Sequence, residues 1–187
     1  MSGNLGKLLG VVFRVQDLQN VADFYGKVLG MQLETSDNAM IVCQYPGEGS
    51  LIKLVQLDPQ AVVSKPQKSS KKSVYWKIGL SLEDVDLARL KIIQSGITVS
   101  NPSQFLDIGY LCHLTDPEGR SIELLQHCFA ENFIKPEEKV GMTLGQECMI
   151  GQVTLRCSNI QESLQFYRHG IFNFFISPVF FFKVSAF

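Results

Sequence analysis

The stretch Leu9-Gly10-Val11-Val12-Phe13-Arg14-Val15-Gln16-Asp17-Leu18 occurs in three versions along this 187-residue chain. It returns as Trp76-Lys77-Ile78-Gly79-Leu80-Ser81-Leu82-Glu83-Asp84-Val85, and again as Gly151-Gln152-Val153-Thr154-Leu155-Arg156-Cys157-Ser158-Asn159-Ile160. Each copy is a period-2 apolar run, then a cap residue, then an amphipathic helix. A second phrase repeats as well: Ser50-Leu51-Ile52-Lys53-Leu54-Val55-Gln56 matches Arg120-Ser121-Ile122-Glu123-Leu124-Leu125-Gln126. Lys77 lies 67 residues after Gly10, and Glu123 lies 70 after Lys53, so the offsets of the two phrases agree closely. Self-similarity at a fixed period marks a module that buries its apolar face against its own copy.

Between the phrases, the first copy reads βαβββ. A strand near Leu8 to Gln16 leads to Asp17, which caps a helix carrying Leu18, Val21, Ala22, Phe24, Tyr25, Val28 and Leu29 at helical spacing. Gly30 supplies the stop. Strands near Met31–Glu34, Met40–Tyr45 and Leu51–Leu57 follow, with turns at Ser36-Asp37-Asn38 and Pro46-Gly47-Glu48-Gly49. The second copy repeats this order. A strand near Val74–Leu82 precedes a helix through Ser95 that Gly96 ends, then strands near Thr98–Phe105, Tyr110–Leu114 and Ser121–Gln126. Thr115-Asp116-Pro117-Glu118-Gly119 is a strong turn, because Pro fixes φ and Gly permits positive φ.

Residues 58–72 read as a polar connector and 129–147 as a linker. The third copy starts again at Gln152, but after Arg168 the sequence loses both periods. His169 to Phe182 is too short and too interrupted by Asn173 and Pro178 to span a membrane. It reads as an aberrant end of a truncated or alternative product, with a tail packed on the core as the competing reading.

Composition narrows the function classes. Apolar residues make up 45% and charged residues 19% of the chain, with a net charge of −1, as expected of a globular protein with a sizeable core. A nucleic-acid face needs a basic stripe with interleaved aromatics, which is absent; Lys65 to Lys72 reads as a solvated linker. The five cysteines lack CxxC spacing. Cys43, Cys112 and Cys157 sit in apolar runs, which points to reduced thiols and a cytoplasmic protein. No secretory or transit pattern opens the chain.

Tandem βαβββ units with Phe24-Tyr25 in the helix, Val28-Leu29-Gly30-Met31 at its end and Asp116-Pro117-Glu118-Gly119 before Ile122-Glu123-Leu124 resemble the vicinal oxygen chelate superfamily. That superfamily includes glyoxalase I, fosfomycin- and bleomycin-resistance proteins, methylmalonyl-CoA epimerase and extradiol dioxygenases. The resemblance implies an α+β fold over residues 1–128, two modules forming an incomplete eight-stranded barrel around one cleft. Residues 148–187 would then open a second such domain, cut short.

The resemblance also implies where a divalent metal would sit, with ligands from the first and last strand of each module. Those positions are Gly10, Lys53, Lys77 and Glu123. Gly10 has no side chain, and a protonated lysine has no lone pair; only Glu123 is a good ligand. Three readings follow for Lys53, Lys77 and Glu123, expected to converge in the cleft. They form an ion-pair cluster in the vacated position, or the lysines meet an anionic ligand, or a metal is kept by Glu123 with a residue such as His113. The facing of His113 depends on a register that the sequence leaves open. His127 and His169 lack ligand spacing. Gln152 holds the first-strand position of the third copy, but its partners would come from the rest of that module and from an absent fourth one, which leaves it functionally stranded.

The expectation is therefore a metal-free domain that binds a small, possibly anionic, molecule or acts as a scaffold. It needs no cofactor, contacts neither membrane nor nucleic acid, and is able to dimerise by strand or module pairing. The alternative is a metal-dependent lyase, isomerase or dioxygenase of the glyoxalase I type using Zn, Ni, Fe or Mn, with Glu123 as the catalytic carboxylate.

Overall fold

The computed structural model describes residues 9–46, 50–58, 75–106, 109–127 and 148–166. The connector, the linker, Cys128 and the tail after Phe166 lie outside the described residues, as do His169 and the side chain of His127.

Both modules fold as βαβββ. In the first, β1 (Gly10–Val15) alternates, burying Phe13 and Val15 while Val12 and Arg14 are exposed. Asp17 then caps α1 (Leu18–Asp23), its Oδ1 accepting the Asn20 N–H at 3.1 Å. The helix continues as a π-helical turn over Phe24–Val28, and Gly30 leaves it at φ 73°. β2 (Gln32–Asp37), β3 (Met40–Gln44) and β4 (Leu51–Gln56) complete a sheet of order β1-β4-β3-β2, in which β1 and β4 are parallel.

The second module supplies β5 (Tyr75–Ser81), α2 (Val85–Gln94), β6 (Ser103–Phe105), β7 (Gly109–Thr115) and β8 (Ser121–His127). Asp84 caps α2 through the Leu87 N–H at 2.9 Å, and Val85, Ala88 and Ile92 form its buried stripe. The strand expected from Thr98 is regular only from Ser103. Asn101-Pro102 interrupts it, since Pro has no N–H for a ladder and restricts the residue before it. Ser100 nevertheless pairs with the His113 backbone, donating its N–H to the carbonyl at 2.9 Å.

The strands do not close into a barrel; they form two sheets. The third copy contributes β9 (Met149–Leu155) and α3 (Ile160–Gln165), and β9 adds antiparallel to the free edge of β5. The second sheet thus runs β6-β7-β8-β5-β9. One apolar core spans both modules, with Ile52 and Leu54 from the first and Ile78, Leu80, Ile122 and Leu124 from the second. Burial pushes the Cys43 thiol up to about 12 and the Cys112 and Cys148 thiols up to about 11, so these remain inert core groups. Cys157 is only half-buried.

A polar clasp also joins the modules. At the Asp116-to-Gly119 turn, the buried Asp116 carboxylate accepts the Glu118 and Arg120 N–H groups and pairs with the Arg120 guanidinium at 2.9 Å. Arg120 also donates to Glu118 at 2.8 Å and to the Arg14 carbonyl at 2.6 Å, and lies 5.2 Å from the Phe13 ring. Glu118 Oε1 accepts the N–H groups of Gln16 and Asp17, where β1 turns into α1. Phe13 meets Tyr75 edge-on, centroids 5.5 Å apart. A turn legible as a local chain reversal is therefore also the lock between modules.

Candidate functional site

On the face of the second sheet opposite its apolar core, register brings four residues into one row. His113 on β7 pairs with Glu123 on β8, Glu123 with Gly79 on β5, and Gly79 with Gln152 on β9. Side chains alternate along a strand, so Cys112 points into the core while His113, its neighbour, shares the Glu123 face.

Glu123 is the centre of the cluster. Its Oε2 forms an ion pair with Lys77 Nζ and lies 3.0 Å from His113 Nε2. Its Oε1 accepts from Gln152 Nε2 at 2.5 Å. Lys77 Nζ also lies 3.2 Å from His113 Nε2 and 4.8 Å from the centre of the Trp76 ring. The Arg156 guanidinium lies 5.4 Å from that same ring. Lys77 and Glu123 are both buried, whereas the His113 side chain is 43% exposed and forms the open side of the cluster. Burial alone would raise the Glu123 pKa. The hydrogen bond from His113 and the Lys77 ammonium outweigh it, so the carboxyl is held below the ordinary carboxylate range.

The other two family positions lie elsewhere. The register of the first sheet reproduces that of the second: Gly10 pairs with Leu51 as Lys77 pairs with Ser121, and Val12 with Lys53 as Gly79 with Glu123. Gly10 and Lys53 are thus the true counterparts of Lys77 and Glu123, but they stand on a separate sheet. Lys53 is half-buried and is not among the ion-pair partners of Glu123. The structure brings together Lys77, Glu123 and His113, and leaves Gly10 and Lys53 apart from them.

Gln152 is the correction. Expected to be stranded, it sits against Glu123 because β9 takes the edge of β5, a partner that no local signal in the sequence announces. Gly79 makes the reach possible. A Cβ there would collide with the Gln152 side chain, meeting its Nε2 at 2.7 Å. Gly79→Ala is therefore expected to displace Gln152 and cost about 1–3 kcal/mol. In a Gln152→Ala background the same change is expected to cost well under that, which urea unfolding of the four-member cycle measures.

A model of the Glyoxalase/Bleomycin resistance protein/Dioxygenase superfamily matches residues 7–124. A lactoylglutathione lyase of Escherichia coli O157:H7 is 31% identical over 128 residues, 64% of this chain and 92% of that protein. Among solved structures, TnmS3, an antibiotic binding protein from Streptomyces sp. CB03234, shares the fold at 21% identity with a TM-score of 0.52, over 66% of this chain and 98% of that one. A glyoxalase I mutant from Zea mays shares it at 20% identity with a TM-score of 0.61, over 87% of this chain and 53% of that one.

Proposed function

Because the chain belongs to the Glyoxalase/Bleomycin resistance protein/Dioxygenase superfamily, we propose that it is a small-molecule-binding member whose site works without a divalent metal. The observation that carries this reading is the Lys77 ammonium on Glu123. A metal would need the Glu123 lone pairs, yet one oxygen faces Lys77 and His113 and the other accepts from Gln152. An ammonium offers no lone pair and repels a second cation. The residues as they stand do not fit the metal that the family implies.

The same arrangement makes Glu123 a weak base. Proton abstraction is favoured when the catalytic pKa lies near the working pH, and the donors around Glu123 move it the other way. Recognition is the better use of the face. The Arg156 guanidinium lies against the Trp76 ring, which favours an anionic ligand carrying an apolar or planar body. His113, exposed on one side, supplies a polar contact at the opening.

Trp76 is the single tryptophan of the chain, so its fluorescence reports this site alone. S-lactoylglutathione, the molecule for which the E. coli relative is named, is a suitable anionic probe. It is expected to change Trp76 emission saturably in EDTA, with no turnover of methylglyoxal plus glutathione when Zn or Ni is added. Metal-dependent turnover that disappears in Glu123→Gln would instead establish the lyase reading.

A further inference from the structure

The geometry points to Lys77 as a built-in cation holding the place of a divalent metal, and to His113, Glu123 and Gln152 as a latent metal site that opens when that ammonium is removed. The inference rests on the metal-independent reading above and carries it to a new property of the chain.

Three observations support it. First, the three side chains come from three strands, β7, β8 and β9, yet share one cross-strand row, so their convergence is fixed by backbone register. Second, two of them already meet a positive charge, and the third is joined to it through Glu123. His113 Nε2 lies 3.2 Å from Lys77 Nζ, Glu123 is ion-paired to it, and the Gln152 amide lies against the other Glu123 oxygen. Third, their chemistry suits a transition metal once the ammonium is gone. Imidazole nitrogen and carboxylate are ordinary ligands for Zn and Ni, and a Gln amide carries an oxygen acceptor beside the nitrogen it now presents. Three protein donors leave room for a further ligand, the pattern of an open metal site.

The first sheet provides an internal control. There the equivalents are Gly10 and Lys53, so the cation stands where the carboxylate should be and its neighbour has no side chain. Removing Lys53 uncovers no carboxylate at the equivalent position. A tethered ammonium also differs from a metal in one useful respect: it neutralises Glu123 at every metal concentration.

The test uses the full chain, stripped with EDTA, as wild type, Lys77→Ala, Lys77→Gln, Lys53→Ala and Lys77→Ala/His113→Ala. Zn and Ni are titrated by calorimetry and thermal shift. Lys77→Ala is expected to bind one equivalent on the order of 100-fold more tightly than wild type or Lys53→Ala, as expected when a unit charge beside the ion is removed. The His113→Ala double variant is expected to lose that gain. If Lys77→Ala folds only with metal, the metal-dependent recovery of its circular dichroism is the readout. Lys77→Gln keeps an N–H donor for Glu123 and supplies a second variant. Folded Lys77 variants that bind no more tightly than wild type overturn the inference alone and leave metal-free recognition standing. So does a gain that persists without His113. Tight metal binding by wild type that is lost in Glu123→Gln overturns both.

Discussion

Lys77→Met is expected to lower the stability of the chain by about 3–5 kcal/mol at pH 7, because it leaves a buried carboxylate without its counter-charge. Methionine matches the length of the lysine stem, so packing is largely kept and the loss reports on charge. The hydrogen bonds from His113 and Gln152 remain, which places the expected value toward the lower end. The sign of the pH dependence follows from Glu123. Its folded-state pKa lies below the unfolded one, so its contribution is fully present above the ordinary carboxylate value of about 4.3 and is lost as pH falls through the folded value. In Lys77→Met that depression weakens and burial acts with less opposition. The gap between wild type and variant is therefore expected to be widest near neutrality and to narrow below about pH 4. Urea unfolding at pH 7, 5 and 4 measures it. A gap independent of pH would mean that lost packing, rather than the unpaired Glu123, sets the cost.

Arg120→Met is expected to cost about 3 kcal/mol or more, through the clasp between modules. The guanidinium pairs with Asp116, whose side chain is fully buried, and also bonds to Glu118 and to the Arg14 carbonyl. Asp116 keeps two backbone donors, so its charge is not wholly uncompensated. For a chain of this size such a loss lowers Tm by roughly 6–12 °C. Glu118→Gln is expected to cost much less, since its amide oxygen can still accept the Gln16 and Asp17 N–H groups. Hydrogen exchange gives the spatial test. Faster exchange at the β1–α1 boundary in Arg120→Met, with α2 unchanged, would locate the damage at the module contact.

These effects trace back to features of different legibility. The βαβββ order was readable because each strand carries a period-2 pattern, and each helix a capped apolar stripe with a glycine stop; such signals are local. The equivalence of Gly10 with Lys77 and Lys53 with Glu123 was also legible, since the repeat aligns them and both sheets use the same parallel register. The family resemblance put Lys53, Lys77 and Glu123 in one cleft and offered an ion-pair cluster as one of three readings; of the two lysines, Lys77 is the one that meets Glu123.

The remainder depends on strands meeting over long distances in the sequence. His113 reaches Glu123 only in one register of β7 against β8, and a shift of one residue would send it to the core. Trp76 approaches Lys77, its own neighbour, where the β5–β9 register shifts between Tyr75 and Lys77. The sequence alone therefore determined the modules, their caps and turns. Tertiary structure alone decided that the strands lie in two sheets, that Lys53 stands apart from Glu123, and that Gln152 crosses the gap at Gly79 to complete the cluster. Backbone ladders are nearly indifferent to side-chain identity, so a strand's own pattern does not say which edge it joins: β1, β2 and β6 are edges too, and β9 pairs with β5.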